Sequence, residues 1–240
     1  MKTKIYRARE RGHANYDWLK ANYSFSFANY RDSERENFGA LRVLNDDFIQ
    51  GGMGFGEHPH HNMEIISIPL QGGLKHKDSM SNKWIPLLTG EVQVMSAGTG
   101  ILHAERNHDA KEELNLFQIW IIPEKSGVSP AYGQKTFDPE ERKNKLQILV
   151  RSYKDAHEDD LKIHQDAQIS RIDLSEANSY EYQLKSANHG VYVMLISGTV
   201  KLNDVMLETR DAIGVWNSDS FKVDAKANAE ILFIEVPMFF

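Results

Sequence analysis

Three imidazoles and two carboxylates fall within Glu57 to Glu64, in the stretch Gly54-Phe55-Gly56-Glu57-His58-Pro59-His60-His61-Asn62-Met63-Glu64. Residues one apart on an extended strand share a face. His58 and His60 therefore present their rings to one point, while Pro59 stiffens the backbone between them and donates no amide hydrogen. His103 and Glu105 repeat the spacing in Ser96-Ala97-Gly98-Thr99-Gly100-Ile101-Leu102-His103-Ala104-Glu105. On adjacent antiparallel strands two such pairs converge on one interior. Three imidazoles and a carboxylate, with no thiolate, suit one divalent transition metal: iron, manganese, nickel, copper, cobalt or zinc.

The remaining polar residues of the cluster sort by strand parity. Glu64 shares the parity of His58 and His60, so a regular strand turns it inward as a fifth ligand, an acceptor for an imidazole hydrogen, or a base. His61 then points the other way, toward the second shell or the pocket rim, and Glu57 belongs to rim or surface. Gln118, alone polar in Leu116-Phe117-Gln118-Ile119-Trp120-Ile121-Ile122, either faces the cavity or is an amide tied to neighbouring backbone. His13 has no partner at ligand spacing and reads as a structural or surface hydrogen-bonding residue.

Positioning these groups requires strands, and strands are what the chain offers. Tyr23-Ser24-Phe25-Ser26-Phe27 alternates as a half-buried strand does. Leu41 to Ile49 reads as two strands about a turn at Asn45-Asp46-Asp47. Glu64 to Leu70, Leu74 to Asp78, Trp84 to Leu88 and Val92 to Ser96 follow, punctuated by Gly72-Gly73 and Gly90. Leu116 to Ile122, apolar on both faces except at Gln118, predicts a central strand. Helical signals are brief: Asp138-Pro139-Glu140-Glu141-Arg142-Lys143 opens as a capped turn, and Asp109 to Leu114 is a second turn. Gly51, Gly52, Gly54 and Gly56 fit a sharply turned strand entering a crowded site.

Such short, turn-punctuated strands are the pattern of a sandwich or barrel. From Pro123 to about Lys145 the apolar periodicity gives way to Pro, Gly and charge, a connection between halves. Beyond it, Val191 to Val200 followed by Asp211 to Asn217 echoes Ile65 to Gly72 followed by Gly90 to Met95. The second half's His157, His164 and His189 are scattered and form no His-x-His or His-x-Glu pair. The run from Ile231 to Phe240 is a last strand whose end packs against protein.

The chain has 240 residues with 34 acidic against 28 basic side chains and a net charge of -6. That balance gives no global attraction to a polyanion, so direct nucleic-acid binding is not expected. Cys is absent, which removes disulfides and thiolate ligands and favours an intracellular setting. The first ten residues carry no apolar signal core, and no apolar run reaches about 18 residues. A cytoplasmic monomer without membrane association is expected.

The motifs Gly54-Phe55-Gly56-Glu57-His58-Pro59-His60 and Met95-Ser96-Ala97-Gly98-Thr99-Gly100-Ile101-Leu102-His103-Ala104-Glu105, with Arg11-Gly12-His13-Ala14, Phe25-Ser26-Phe27-Ala28-Asn29-Tyr30 and Leu41-Arg42-Val43-Leu44-Asn45-Asp46-Asp47, are similar to the pirin family of the cupin superfamily, its bacterial members above all. The similarity runs on weakly through Leu161-Lys162-Ile163-His164-Gln165-Asp166.

The resemblance implies an all-β bicupin of two β-barrel (jelly-roll) domains: an N-terminal metal-binding cupin over residues 1–130 and a C-terminal cupin-like domain over 131–240. It implies metal held by His58, His60, His103 and Glu105, with Fe(II) the first choice. In other cupins a glutamate soon after the first histidine pair is often a ligand; the pirin pattern uses Glu105 instead and leaves Glu64 behind the ligands. His61 stands where relatives commonly carry Arg or Lys.

The activity implied is that of a quercetin 2,3-dioxygenase, opening a flavonol, a small aromatic substrate, with O2 and releasing carbon monoxide. Glu105 is the expected base and Glu64 the second candidate. The alternative is a metal-dependent protein-binding or transcription-cofactor module without turnover. Another enol or aromatic substrate, an isomerase and a sugar-binding cupin are further rivals.

Overall fold

The computed structural model describes residues 1–239. Its strands form two seven-stranded and two four-stranded sheets, one of each per half, so the all-β expectation holds and each half is jelly-roll-like. In the first half the large sheet runs Ala131–Thr136, Glu91–Ser96, Glu64–Gln71, Leu114–Ile121, Leu41–Ile49, Leu19–Tyr23, Gly12–Asn15. The small sheet facing it runs Gly54–His60, Ile101–Asn107, Gly73–Asp78, Ile85–Leu88. The second half repeats the arrangement: Lys2–Tyr6, Ala212–Trp216, His189–Ser197, Ala229–Pro237, Gln168–Leu174, Gln147–Ser152, Leu161–Ile163, faced by Ser179–Gln183, Ser220–Ala225, Thr199–Leu202, Val205–Glu208. The echo between the two halves of the sequence is thus a repeat of strand order.

A single core joins the halves. Phe117, Ile119 and Ile121 from one large sheet share a buried apolar cluster with Tyr192, Met194, Leu232 and Ile234 from the other. Their alternate neighbours Leu116, Gln118 and Trp120 face the first jelly roll's interior side, which is why Leu114–Ile121 is apolar on both faces.

Two strands cross the expected division at residues 130 and 131. Ala131–Thr136 pairs with Glu91–Ser96 in the first large sheet, and Lys2–Tyr6 pairs with Ala212–Trp216 in the second. Each half closes an edge of the other's sheet, satisfying backbone groups that would otherwise template foreign strands.

Three local expectations change. Leu41–Ile49 is one nine-residue strand, not two about a turn, because Leu19–Tyr23 and Leu114–Ile121 pair with it straight through Asn45, Asp46 and Asp47. The strand Leu19–Tyr23 ends before Phe25; Ala28 turns at φ 48° and Phe27 bridges back to Tyr30. Ala229–Pro237 is a central strand, but Phe239 beyond it is 88% exposed, and Phe240 lies outside the described residues. The capped turn is a short 3-10 helix, Pro139–Arg142, with the Asp138 side chain accepting from the Glu140 amide. Among the described residues no helix is long and apolar enough to cross a membrane.

Candidate metal centre and active site

Gly54–His60 and Ile101–Asn107 pair antiparallel, with His103 directly opposite His58. Alternation on Ile101–Asn107 turns Ile101, His103, Glu105 and Asn107 inward. The two strands lie unusually close at Gly54, where an added Cβ would come within 2.2 Å of the Glu105 carbonyl oxygen; glycine permits that approach.

The strand geometry brings three imidazoles together. Ring centroids lie 4.9 Å apart for His58 and His60, 4.3 Å for His58 and His103, and 4.8 Å for His60 and His103. Ring nitrogens of all three lie within 4.8 Å of one another, a grouping that could hold a metal ion. His58 Nε2 and His103 Nε2 are 2.9 Å apart, while His58 Nδ1 meets the Gly56 carbonyl oxygen at 2.8 Å, a contact that turns the Nε2 edge of the ring toward the other imidazoles. His60 Nε2 and His103 Nδ1 are buried without a hydrogen-bond partner. Burial first, then the neighbouring imidazoles, pushes the pKa of His60 and of His103 down to about 3. Neutral imidazoles with unused lone pairs are the donor state that a transition metal requires, so these residues fit one.

Glu105 stands beside this grouping rather than within it. A β-bulge follows His103 in the pairing with Gly54–His60, and bulges re-aim side chains. Its carboxylate accepts from Gln118 Nε2 at 2.6 Å and from Ser67 Oγ at 3.3 Å. Gln118 therefore faces the cavity, opposite Asn45 on one neighbouring strand and Ser67 on the other.

Glu64 does not line the cavity of the three imidazoles. Asn62 adopts φ 46°, and the chain passes there from the small sheet to the large one, so strand parity is not carried from His60 to Glu64. Glu64 is fully buried and accepts from Ser96 Oγ at 2.6 Å. Burial, opposed by hydrogen bonds from Ser96 and the His164 backbone, raises its pKa to about 7. His61 is exposed and packs on Gly100, and Glu57 is an exposed rim residue. His13 lies at the surface, its Nδ1 2.8 Å from Asn22 Oδ1.

The imidazoles open into a cavity of about 490 Å³ walled by Trp18, Phe27, Phe55 and Trp120, a size usual for small-molecule sites. Trp120 meets His60 edge-on at 4.8 Å, and Trp18 meets Phe55 at 5.3 Å. Asn45 and Asp47 also line it. Burial, then Asp46 and Glu105, hold the pKa of Asp47 well above the usual carboxylate range. Behind His103, fully buried His76 stacks on Tyr132 at 5.2 Å, and its Nδ1 lies 3.8 Å from Asp78 Oδ2. Sequence reading missed Asp47, Trp18 and His76; only His76 left a signal, its one-apart spacing from Asp78.

Comparison with known proteins places this arrangement. The Pirin family model matches residues 4–121, and a model described as the quercetinase C-terminal cupin domain matches 149–236. A quercetin 2,3-dioxygenase of Escherichia coli K12 is 43% identical over 234 residues, 97% of this chain and 98% of that one. The chain belongs to the pirin family. A pirin-like protein of Caulobacter vibrioides is 39% identical across 93% of this chain and 95% of its own. The crystal structure of the bacterial pirin YhhW from Escherichia coli, in complex with nickel(II), superposes with a TM-score of 0.91 at 38% identity, covering 98% of this chain and 99% of that one. Membership of the family and its two-domain cupin architecture are therefore established for this chain.

Proposed function

We propose that this pirin is a metal-dependent dioxygenase that opens the heterocyclic ring of a flavonol such as quercetin with O2 and releases carbon monoxide. The observation that carries the reading is the convergence of His58, His60 and His103 at one end of a cavity whose walls are aromatic. The name of the Escherichia coli relative supports the substrate class.

His58, His60 and His103 would hold one divalent metal, with Glu105 as the fourth ligand. Fe(II) is our first assignment, and the nickel(II) complex of YhhW makes Ni(II) the first alternative. When bound, the metal would acidify the flavonol 3-hydroxyl and pass electron density from the substrate toward oxygen. The chain's own groups do the rest. Trp18, Phe55 and Trp120 sandwich a flat ring system and exclude water from it. Glu105 takes the hydroxyl proton, its carboxylate aimed by Gln118 and Ser67. Asp47, whose carboxyl burial holds well above the usual carboxylate range, lines the same cavity.

The test is oxygen uptake by metal-free protein reconstituted separately with Fe(II), Mn(II), Ni(II), Cu(II), Co(II) and Zn(II), then given quercetin. Uptake matched by flavonol loss and carbon monoxide, and abolished in His58→Ala/His60→Ala under the same metal load, is the expected result. Binding of every ion without turnover above the free-metal background would overturn the enzyme and leave a metal-dependent binding module.

A further inference from the structure

Three arginines of this acidic chain gather where the two jelly rolls meet, at a cavity that shares no lining residue with that of the histidines. A cavity of about 560 Å³ there takes Gln71, Thr89 and Asn115 from the first half and Arg142, Arg171 and Arg210 from the connection and second half. One carboxylate, Glu230, also lines it. Arg171 is 7% exposed; its Nη2 donates to Glu230 Oε2 at 2.7 Å, but its buried Nε has no hydrogen-bond partner. An unsatisfied donor on a buried guanidinium is costly.

The other carboxylates paired with these arginines do not line the cavity. Arg210 is fixed through Nε to buried Asp46 Oδ2 at 3.0 Å, through Nη2 to Asn115 Oδ1 at 2.9 Å and through Nη1 to the Ile196 carbonyl at 2.6 Å. Arg142 meets Asp173 Oδ2 through Nε at 2.9 Å, a side-on contact that keeps its planar fork of terminal nitrogens for another acceptor. Burial, then the Arg142 charge, presses the pKa of Arg171 downward. Two guanidiniums therefore line one cavity, Arg142 paired with Asp173 outside it and Arg171 with Glu230 at it, and a further anion in the cavity would meet both cations.

We propose that this junction cavity is a binding site for a compact oxyanion, a phosphate or the phosphate group of a small metabolite, held by Arg142 and Arg171 with Glu230 as the group that limits its affinity. Arg210 supplies a fixed cationic wall, and the Thr89 and Ser197 hydroxyls stand at the same cavity.

Isothermal titration of the full metal-loaded chain with inorganic phosphate, against matched ionic strength of chloride, tests the site. Glycerol phosphate in a parallel arm distinguishes free phosphate from a phosphate head group. Arg142→Gln should weaken binding at least tenfold, and Glu230→Gln should tighten it several-fold by removing the competing carboxylate. These opposite signs separate the junction from phosphate on the metal, which neither substitution touches. Both variants leave Arg171 in place, so a folding failure at the buried arginine does not confuse the result. Absence of saturable binding by either anion below 10 mM, or equal affinities in wild type and both variants, would overturn the proposal.

Discussion

Opposite His103 in the first small sheet stands His58; at the corresponding place in the second, Phe221 stands opposite Tyr182. Around the histidines lie Glu105, Gln118, Ser67 and Asn45. Around the second pair the space is filled: Tyr182 stacks on Phe221 at 5.3 Å and on Phe233 at 4.8 Å. Val191, Val193, Leu195 and Val215 complete an apolar core, at whose edge the Tyr182 hydroxyl donates to buried Glu235 at 2.9 Å. One strand order therefore supports either a filled, largely apolar interior or an open polar one. The difference shows that the cavity, the orphaned imidazole nitrogens and the crowded carboxylates of the first jelly roll are not demanded by the architecture. They are tolerated because a large apolar core is shared between the halves.

The sharpest way to break the comparison is to remove what distinguishes the first interior. His58→Ala/His60→Ala should lower bound metal below a tenth of one ion per chain by elemental analysis and cut turnover by about 10³-fold. The mirror experiment is Phe233→Ala, which empties the second interior. Urea unfolding should show a loss of about 3–5 kcal/mol, while metal stoichiometry of the folded protein stays unchanged; a fall in metal content would show that the second jelly roll supports the first site directly.

A smaller effect comes from Glu64, whose pKa is raised to about 7 from an ordinary 4.5. A carboxyl raised in the folded state contributes fully below its unfolded pKa, and the contribution is lost as pH rises through the folded one. Glu64→Gln should therefore match wild type near pH 4 and exceed it at pH 8, by at most about 3 kcal/mol. Equal unfolding midpoints at pH 8 would show that burial of Glu64 is relieved in solution. The smallest change is Gln118→Leu, which removes the hydrogen bond that aims Glu105; we expect about a tenfold fall in kcat, with metal content retained, in a steady-state assay.

Much of this contrast was legible in the residues themselves. His58 and His60, and His103 and Glu105, carry strand parity within single strands, and parity is a local property. The parity that Glu64 shares with His58 and His60 is not carried into the fold, because the chain turns at left-handed Asn62 and changes sheet there. Asn45-Asp46-Asp47 has turn chemistry, and what keeps it extended is distant in sequence: Arg210 on Asp46 at 3.0 Å, Asn115 on Asp46 at 2.8 Å and Arg11 at 3.6 Å. Trp18, Phe27 and Phe55 reach one cavity from separate segments, and no spacing rule joins them. Likewise the second interior could be read as lacking a ligand pattern, but not as filled.

The mutual strand exchange also sets an order of events during synthesis. Lys2–Tyr6 is made long before its partner Ala212–Trp216, and the first large sheet waits for Ala131–Thr136 before its edge is covered. Closing loops of such length is slow. Lys2–Tyr6 can dock only once Ala212–Trp216 has been made, and until then the second large sheet lacks that edge.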